Sequence, residues 1–236
     1  MIEPLLLSVT SVITKFGTQQ LTSATGFFFE RENRLYLITA RHVVLDEGTQ
    51  HRPNILIINL HINEENITIT TDYSIPLYRE NRPLWMEAYD SGGLVDVCAI
   101  ELDRKALGDK VFLEAFHEDQ LVTATDDVEV GTSAVIAGFP LGFYDTLHKL
   151  PVARNALIAS SFGIRFQGLG YFLTDAQMHR GSSGAPVVIR VDSEWHLIGI
   201  HTSRMDMVTR DKQEDDRLNL NCAWYADVIL ELTKKR

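Results

Sequence analysis

Apolar runs of strand length, separated by polar turns, fill most of this chain. Residues 5–13 are apolar and β-branched, and Gly17-Thr18-Gln19 supplies a turn. Residues 21–30 and 35–39 pair as a predicted hairpin over Arg31-Glu32-Asn33-Arg34, and residues 53–61 and 67–73 as another over Asn63-Glu64-Glu65-Asn66. Ile67, Ile69 and Thr71 alternate with Thr68 and Thr70, the period of a half-buried strand. Residues 95–102 add a further strand, while residues 74–93, with Trp85, Tyr89 and Gly92-Gly93, read as a long loop.

Residues 104–120 are charged and partly helical in pattern, which suits a linker between two halves. Strands follow at 133–139, 151–161, 163–167, 171–174, 185–191 and 195–202, the last two flanking a turn at Asp192-Ser193. Residues 206–217 form an acidic polar stretch expected as a surface loop. Residues 226–235 read as a terminal helix, with lysines in its last turn where they suit the helix dipole. Short strands at this spacing predict an all-β barrel or sandwich. The predicted division is 1–103, 104–120 as linker, 121–223, and 224–236 as helix.

Composition narrows the function. At 236 residues the chain holds one large domain or two small ones. A net charge of -10 speaks against nucleic acid as a partner, because binding phosphates takes a basic surface. No run approaches a membrane span, and residues 5–9 are too short for a signal core, so a cytoplasmic protein without membrane partners is expected. Cys98 and Cys222 each lie among apolar residues and read as buried free thiols, with a disulfide or metal pair as the alternative.

Candidate chemistry starts at Gly181-Ser182-Ser183-Gly184, just before the apolar run Val187-Val188-Ile189. Small residues before a strand are commonly a plain turn. A serine nucleophile needs a base to take its proton and donors for the oxyanion. His42 is the histidine that an apolar strand, Leu37 to Ala40, delivers into a short apolar turn, where it is rigidly held or simply packed. His51, His61, His117, His148 and His196 read as surface residues with no acidic or cysteine neighbours at ligand spacing, so no metal is expected. Asp96 opens the apolar strand 97–102, and a partly buried carboxylate wants a donor; Asp90 and Asp103 are competitors in polar surroundings. The order His42, Asp96, Ser183 excludes the α/β-hydrolase arrangement of serine, acid, histidine.

These residues, in this order, resemble the chymotrypsin-fold serine proteases, above all the bacterial HtrA-type and glutamyl endopeptidase branches. Leu37-Ile38-Thr39-Ala40-Arg41-His42-Val43-Val44 resembles their histidine block, and Asp96-Val97-Cys98-Ala99-Ile100 their aspartate block. Residues 130–142 resemble the strand that opens their second barrel. Thr174-Asp175-Ala176 and Arg180-Gly181 resemble the lead-in to the serine, and Ile198-Gly199-Ile200-His201 the wall of the specificity pocket. The resemblance implies two six-stranded antiparallel β-barrels with a C-terminal helix. His42 and Asp96 fall in the first barrel and Ser183 in the second.

It also implies roles. Ser183 attacks a peptide carbonyl, His42 moves the proton, Asp96 orients the imidazole, and the Gly181 and Ser183 N–H groups hold the oxyanion. The specificity-pocket positions are Gln177, Met178, Arg180, His201, Thr202 and Arg204, and Thr202 also sits where the family has a hydroxyl that bonds the aspartate. Gln177 replaces an acidic residue of trypsin-like pockets, which argues against Lys or Arg substrates, and His201 with the two arginines points to cleavage after an acidic residue. A small or apolar residue is the competing expectation. Ser182 stands where animal relatives carry the aspartate of zymogen activation, so control through loop order or through a partner is expected instead. A protein or peptide substrate and no cofactor complete the reading. The alternatives are a latent or inactive binding module, or a protease switched on within a signalling or defence system.

Overall fold

Three consecutive phenylalanines, Phe27, Phe28 and Phe29, show how the first half is built. Their strand is covered on both faces, so an unbroken apolar run replaces alternation. Phe28 points into the core of the first sheet, and Phe27 and Phe29 point towards the second half. The computed structural model describes residues 2–122, 128–208 and 215–235.

The first half comprises β1 (Val9–Phe16), β2 (Gln19–Arg31), β3 (Arg34–Thr39), β4 (Ile55–His61), β5 (Thr70–Pro76), the two-residue pair β6 (Tyr78–Arg79) and β7 (Arg82–Pro83), β8 (Trp85–Asp90) and β9 (Gly93–Leu102). Seven of these form one antiparallel sheet in the order β5-β4-β1-β2-β3-β9-β8. The second half comprises β10 (Ser133–Gly138), β11 (Val152–Ile158), β12 (Tyr171–Asp175), β13 (Ala185–Val191), β14 (Glu194–Val208) and β15 (Asp215–Tyr225), closed into a six-stranded barrel. The expected chymotrypsin-like double-barrel architecture is therefore present, with seven hydrogen-bonded strands rather than six in its first half.

Apolar side chains separate into three clusters. One fills the first half around Phe28, Leu37 and Ile58, and one fills the second barrel around Ile136, Phe172 and Ile198. The third joins the halves, with Phe27, Ile38 and Val97 meeting Leu173, Val188 and Ile200.

Several local expectations are corrected. Residues 74–93 are mostly strand, not loop. As an edge strand, β8 pairs on one side (Trp85 opposite Ile100) and buries only Trp85 and Ala88, too weak a pattern to read locally. Residues 4–7 form the helical turn α1 (Pro4–Leu7) because Pro4 suits a first helical position, and the strand starts at Val9. Residues 163–167, expected as a strand, are turn and a 3₁₀ segment at Phe166–Gly168. The stretch 206–217, expected as a loop, is strand up to Val208 and from Asp215, which pair, and residues 209–214 lie outside the described residues.

After the histidine-bearing turn α2 (Arg41–Val44), the segment joining the halves holds α3 (Arg104–Leu107), whose first N–H groups are capped by the Asp103 carboxylate. The terminal helix α4 (Val228–Leu232) is shorter than expected. It rests on the shared core through Ile229 and Leu232, and Arg31 of β2 donates to its Leu230 carbonyl at 2.8 Å.

Candidate active site

The site assembles where α2, β9 and the turn before β13 meet. Strand β3 is buried and registered on β9 with Thr39 opposite Cys98, so the α2 turn that follows Ala40 lies over Asp96. Asp96 shares a strand face with Cys98 and Ile100, and its carboxylate emerges at the mouth of the first core. Asp96 Oδ1 accepts the His42 backbone N–H at 3.0 Å, and Oδ2 lies 2.9 Å from His42 Nδ1. A carboxylate there holds the proton on Nδ1 and leaves Nε2 as an acceptor.

Burial pulls the His42 pKa down, but the Asp96 hydrogen bond, the Asp96 charge and the charge of Asp46 together lift it above its ordinary 6.5. A raised folded pKa means that the pair adds stability below about 6.5, the unfolded value, and that this contribution is lost as pH rises through the folded pKa. Asp46 is in turn held below the usual carboxylate range, first by the Thr49 hydroxyl and also by Gly48 and Thr49 backbone bonds and His42.

Ser183 sits between two glycines that the packing requires. Gly181 has φ +92°, and a Cβ there would lie 2.5 Å from the Phe139 carbonyl. Gly184 has φ +89°, and a Cβ there would overlap the Thr25 carbonyl and the Thr39 hydroxyl of the first half. The Ser183 hydroxyl donates to the Thr202 carbonyl at 2.9 Å, so its proton is directed at β14 rather than at the imidazole. His42, Gly181 and Ser183 line one cleft of about 610 Å³ together with Leu141 and Arg180.

The Arg180 carbonyl accepts the Leu141 N–H at 2.6 Å. A trans peptide sets N–H opposite C=O, so the Gly181 N–H points away from Leu141. Among the described residues neither it nor the Ser183 N–H donates to a protein acceptor, which leaves two donors on one turn for an anionic oxygen.

The other expected residues divide. Gln177, Met178 and Arg204 line a second cavity of about 20 Å³, together with Asn219 and Asn221. Arg180 faces the larger cleft instead. His201 is 2% exposed, and burial, then the charges of His42 and Arg204, lower its pKa to about 3. It is therefore neutral at ordinary pH and cannot act as a cation. Thr202 contributes its carbonyl, and among the described residues no hydrogen bond joins its hydroxyl to Asp96.

Ser182 is 0% exposed, with a hydroxyl that has no partner among the described residues. Asn221 was not singled out from sequence. It is buried, and its Nδ2 donates to the Thr174, Ala176 and Asn219 carbonyls at 3.2, 2.8 and 3.1 Å, tying the walls of the small cavity together. Its signal was an amide directly before the apolar run Cys222-Ala223-Trp224, with Asn219 two residues earlier.

Both cysteines are free and buried, as expected. Among the described residues no group of three or more His, Cys, Asp or Glu could hold a metal, and no helix is long and apolar enough to cross a membrane.

A double barrel with an imidazole–carboxylate pair facing a serine turn defines the class of chymotrypsin-fold proteins. Residues 24–200 match the model of the trypsin-like peptidase domain, and the chain belongs to that family. No curated protein sequence matches it. Its fold is similar to that of an HtrA-type protease solved with a tripeptide, at 17% identity and TM-score 0.57 over 96% of this chain and 58% of that one. It is similar to a serine endoprotease from Yersinia pestis at 14% identity and TM-score 0.57, covering 97% of this chain and 62% of that one. It is also similar to the human heparin binding protein at 16% identity and TM-score 0.58, covering 98% and 91%.

Proposed function

We propose that this chain is a serine endopeptidase using Ser183, His42 and Asp96. The observation that carries the reading is the 2.9 Å contact of Asp96 Oδ2 with Nδ1 of His42, a residue that lines one cleft with Ser183 and Gly181. The Ser183 hydroxyl turns from Thr202 to His42 Nε2, which takes its proton as Oγ bonds to the peptide carbon. The carbonyl oxygen becomes an anion received by the Gly181 and Ser183 N–H groups, and Asp96 offsets the imidazolium charge. His42 returns the proton to the leaving amine as the C–N bond breaks. Water then hydrolyses the acyl-serine by the same steps. The rotation also frees the Thr202 carbonyl to accept a substrate N–H. A fluorophosphonate probe is expected to attach to Ser183, as read by mass spectrometry of the labelled peptide; attachment elsewhere contradicts the reading.

The Ser183 rotamer favours a second reading, in which the chain is latent until a substrate or partner protein turns the hydroxyl. Labelling that appears only when peptide or a partner is added would select it.

For specificity, the small cavity holds about one water, and Met178, 4% exposed, is part of its lining. A small residue before the scissile bond fits as it stands. An acidic residue is supported by the Arg204 cation in the lining, but it needs Met178 to move. In a peptide library, turnover is expected to be highest after small or acidic residues and at least about tenfold lower after Lys or Arg, since unpaired burial of a cation is costly. Efficient cleavage after Lys or Arg would refute this assignment.

A further inference from the structure

The turn that offers the two N–H groups belongs to the second half, yet a residue of the first half holds it. Thr25, on β2, is 0% exposed. Its hydroxyl accepts the Phe139 N–H at 3.1 Å and donates to the Gly181 carbonyl at 2.8 Å. Its N–H donates to the Ser183 carbonyl at 3.0 Å, and its carbonyl accepts the Thr39 hydroxyl at 2.7 Å. Thr25 thus meets the nucleophile turn at the carbonyls of both residues whose N–H groups donate to no protein acceptor among the described residues.

We propose that Thr25 is a positioning residue for the oxyanion site. Gly181 is intrinsically free in φ and ψ, so its orientation depends on external tethers. The peptide that carries its N–H is tethered by the bond from Leu141 to the Arg180 carbonyl, and the peptide that carries its carbonyl by the Thr25 hydroxyl and by the Ser182 N–H bond to the His179 carbonyl. The same hydroxyl fixes Phe139, which leads through Pro140 into Leu141, so a single oxygen sets both walls of the turn. Thr39 in turn ties Thr25 to the strand that delivers His42, so base and oxyanion donors share one frame. Removing the hydroxyl strands the buried Phe139 N–H and the Gly181 carbonyl; as Phe139 relaxes, Leu141 shifts with it, and so does the Arg180–Gly181 peptide that Leu141 holds and that carries the Gly181 N–H.

The inference rests on the peptidase reading and is tested with Thr25→Val, which keeps the branched shape, and Thr25→Ser, which keeps the hydroxyl. Thr25→Val is expected to lower kcat about 10- to 100-fold, below or at the range for loss of a whole oxyanion donor, with KM within about threefold. Affinity for a peptide aldehyde should fall in parallel with kcat, and Thr25→Ser should restore both to within about threefold. Should Thr25→Val fail to fold by circular dichroism, Thr25→Ala carries the same measurements. An unchanged kcat, or a Ser variant as impaired as the Val variant, would overturn the proposal. The Gly181 amide resonance offers a readout without turnover: it should move in Thr25→Val and not in Thr25→Ser, and an unmoved resonance overturns the role of Thr25. Failure of the wild-type chain to react with probe or peptide would instead overturn the peptidase reading, leaving the amide measurement to decide on Thr25.

Discussion

Replacing Ser183 with alanine is expected to lower kcat for peptide hydrolysis by about 10⁶-fold, the scale on which such sites respond to loss of their nucleophile. The hydroxyl is partly exposed and its hydrogen bond runs to the Thr202 carbonyl, so its removal should change stability by no more than about 1 kcal/mol. Peptide binding should persist, because the cleft walls, including Leu141 and Arg180, are untouched. The neighbouring Ser182 cannot substitute, since it is fully buried. Steady-state kinetics, probe labelling and thermal unfolding of the purified variant check the three parts. A Ser183→Ala protein that still labels and turns over at the parent rate would show that the nucleophile lies elsewhere.

Asp96→Asn is expected to lower kcat by about 10⁴-fold, with the fold intact. The carboxylate makes two contacts that the amide cannot both reproduce. If the amide oxygen accepts the His42 backbone N–H, the NH₂ group faces Nδ1, and the ring must then carry its proton on Nε2. In that tautomer the imidazole cannot take a proton from Ser183.

The pH profile gives a second signature. Activity needs neutral His42, so kcat/KM of the parent should rise with pH through a midpoint above 6.5, where Asp96 and Asp46 place it against the opposing pull of burial. In the variant the contributions of Asp96 vanish while burial remains, and the residual activity should show its acid limb at lower pH. An acid limb that does not move would mean that Asp96 does not set the protonation of His42. The parent should also lose the stabilisation of this pair over the pH range in which it gains activity, because neutralising His42 does both.

Much of this was legible locally. The hairpin over Glu32 and Asn33 follows from polar residues between apolar runs, and both adopt positive φ as a tight hairpin turn demands. Delivery of His42 by β3 and placement of Asp96 at the head of an apolar segment were likewise readable, because a strand's apolar period shows where its buried part ends. The edge strand β8 was not, since one-sided pairing leaves only Trp85 and Ala88 buried. Nor was the turn at 162–169, whose apolar Phe162 is buried against Phe172 and Tyr225 rather than within a strand ladder.

The chain by itself determined which chemically competent residues exist, in what order, and at the ends of which apolar runs, because periodicity and turn chemistry act over a few residues. Only the tertiary structure decided what those residues face. It aimed the Ser183 hydroxyl at the Thr202 carbonyl, placed Met178 in the lining of the small cavity, buried His201 until it is neutral, and set the Thr25 hydroxyl against the Gly181 carbonyl. Each of these depends on contacts between segments far apart in sequence, Thr25 and Gly181 lying 156 residues apart, and local propensity carries no term for such contacts.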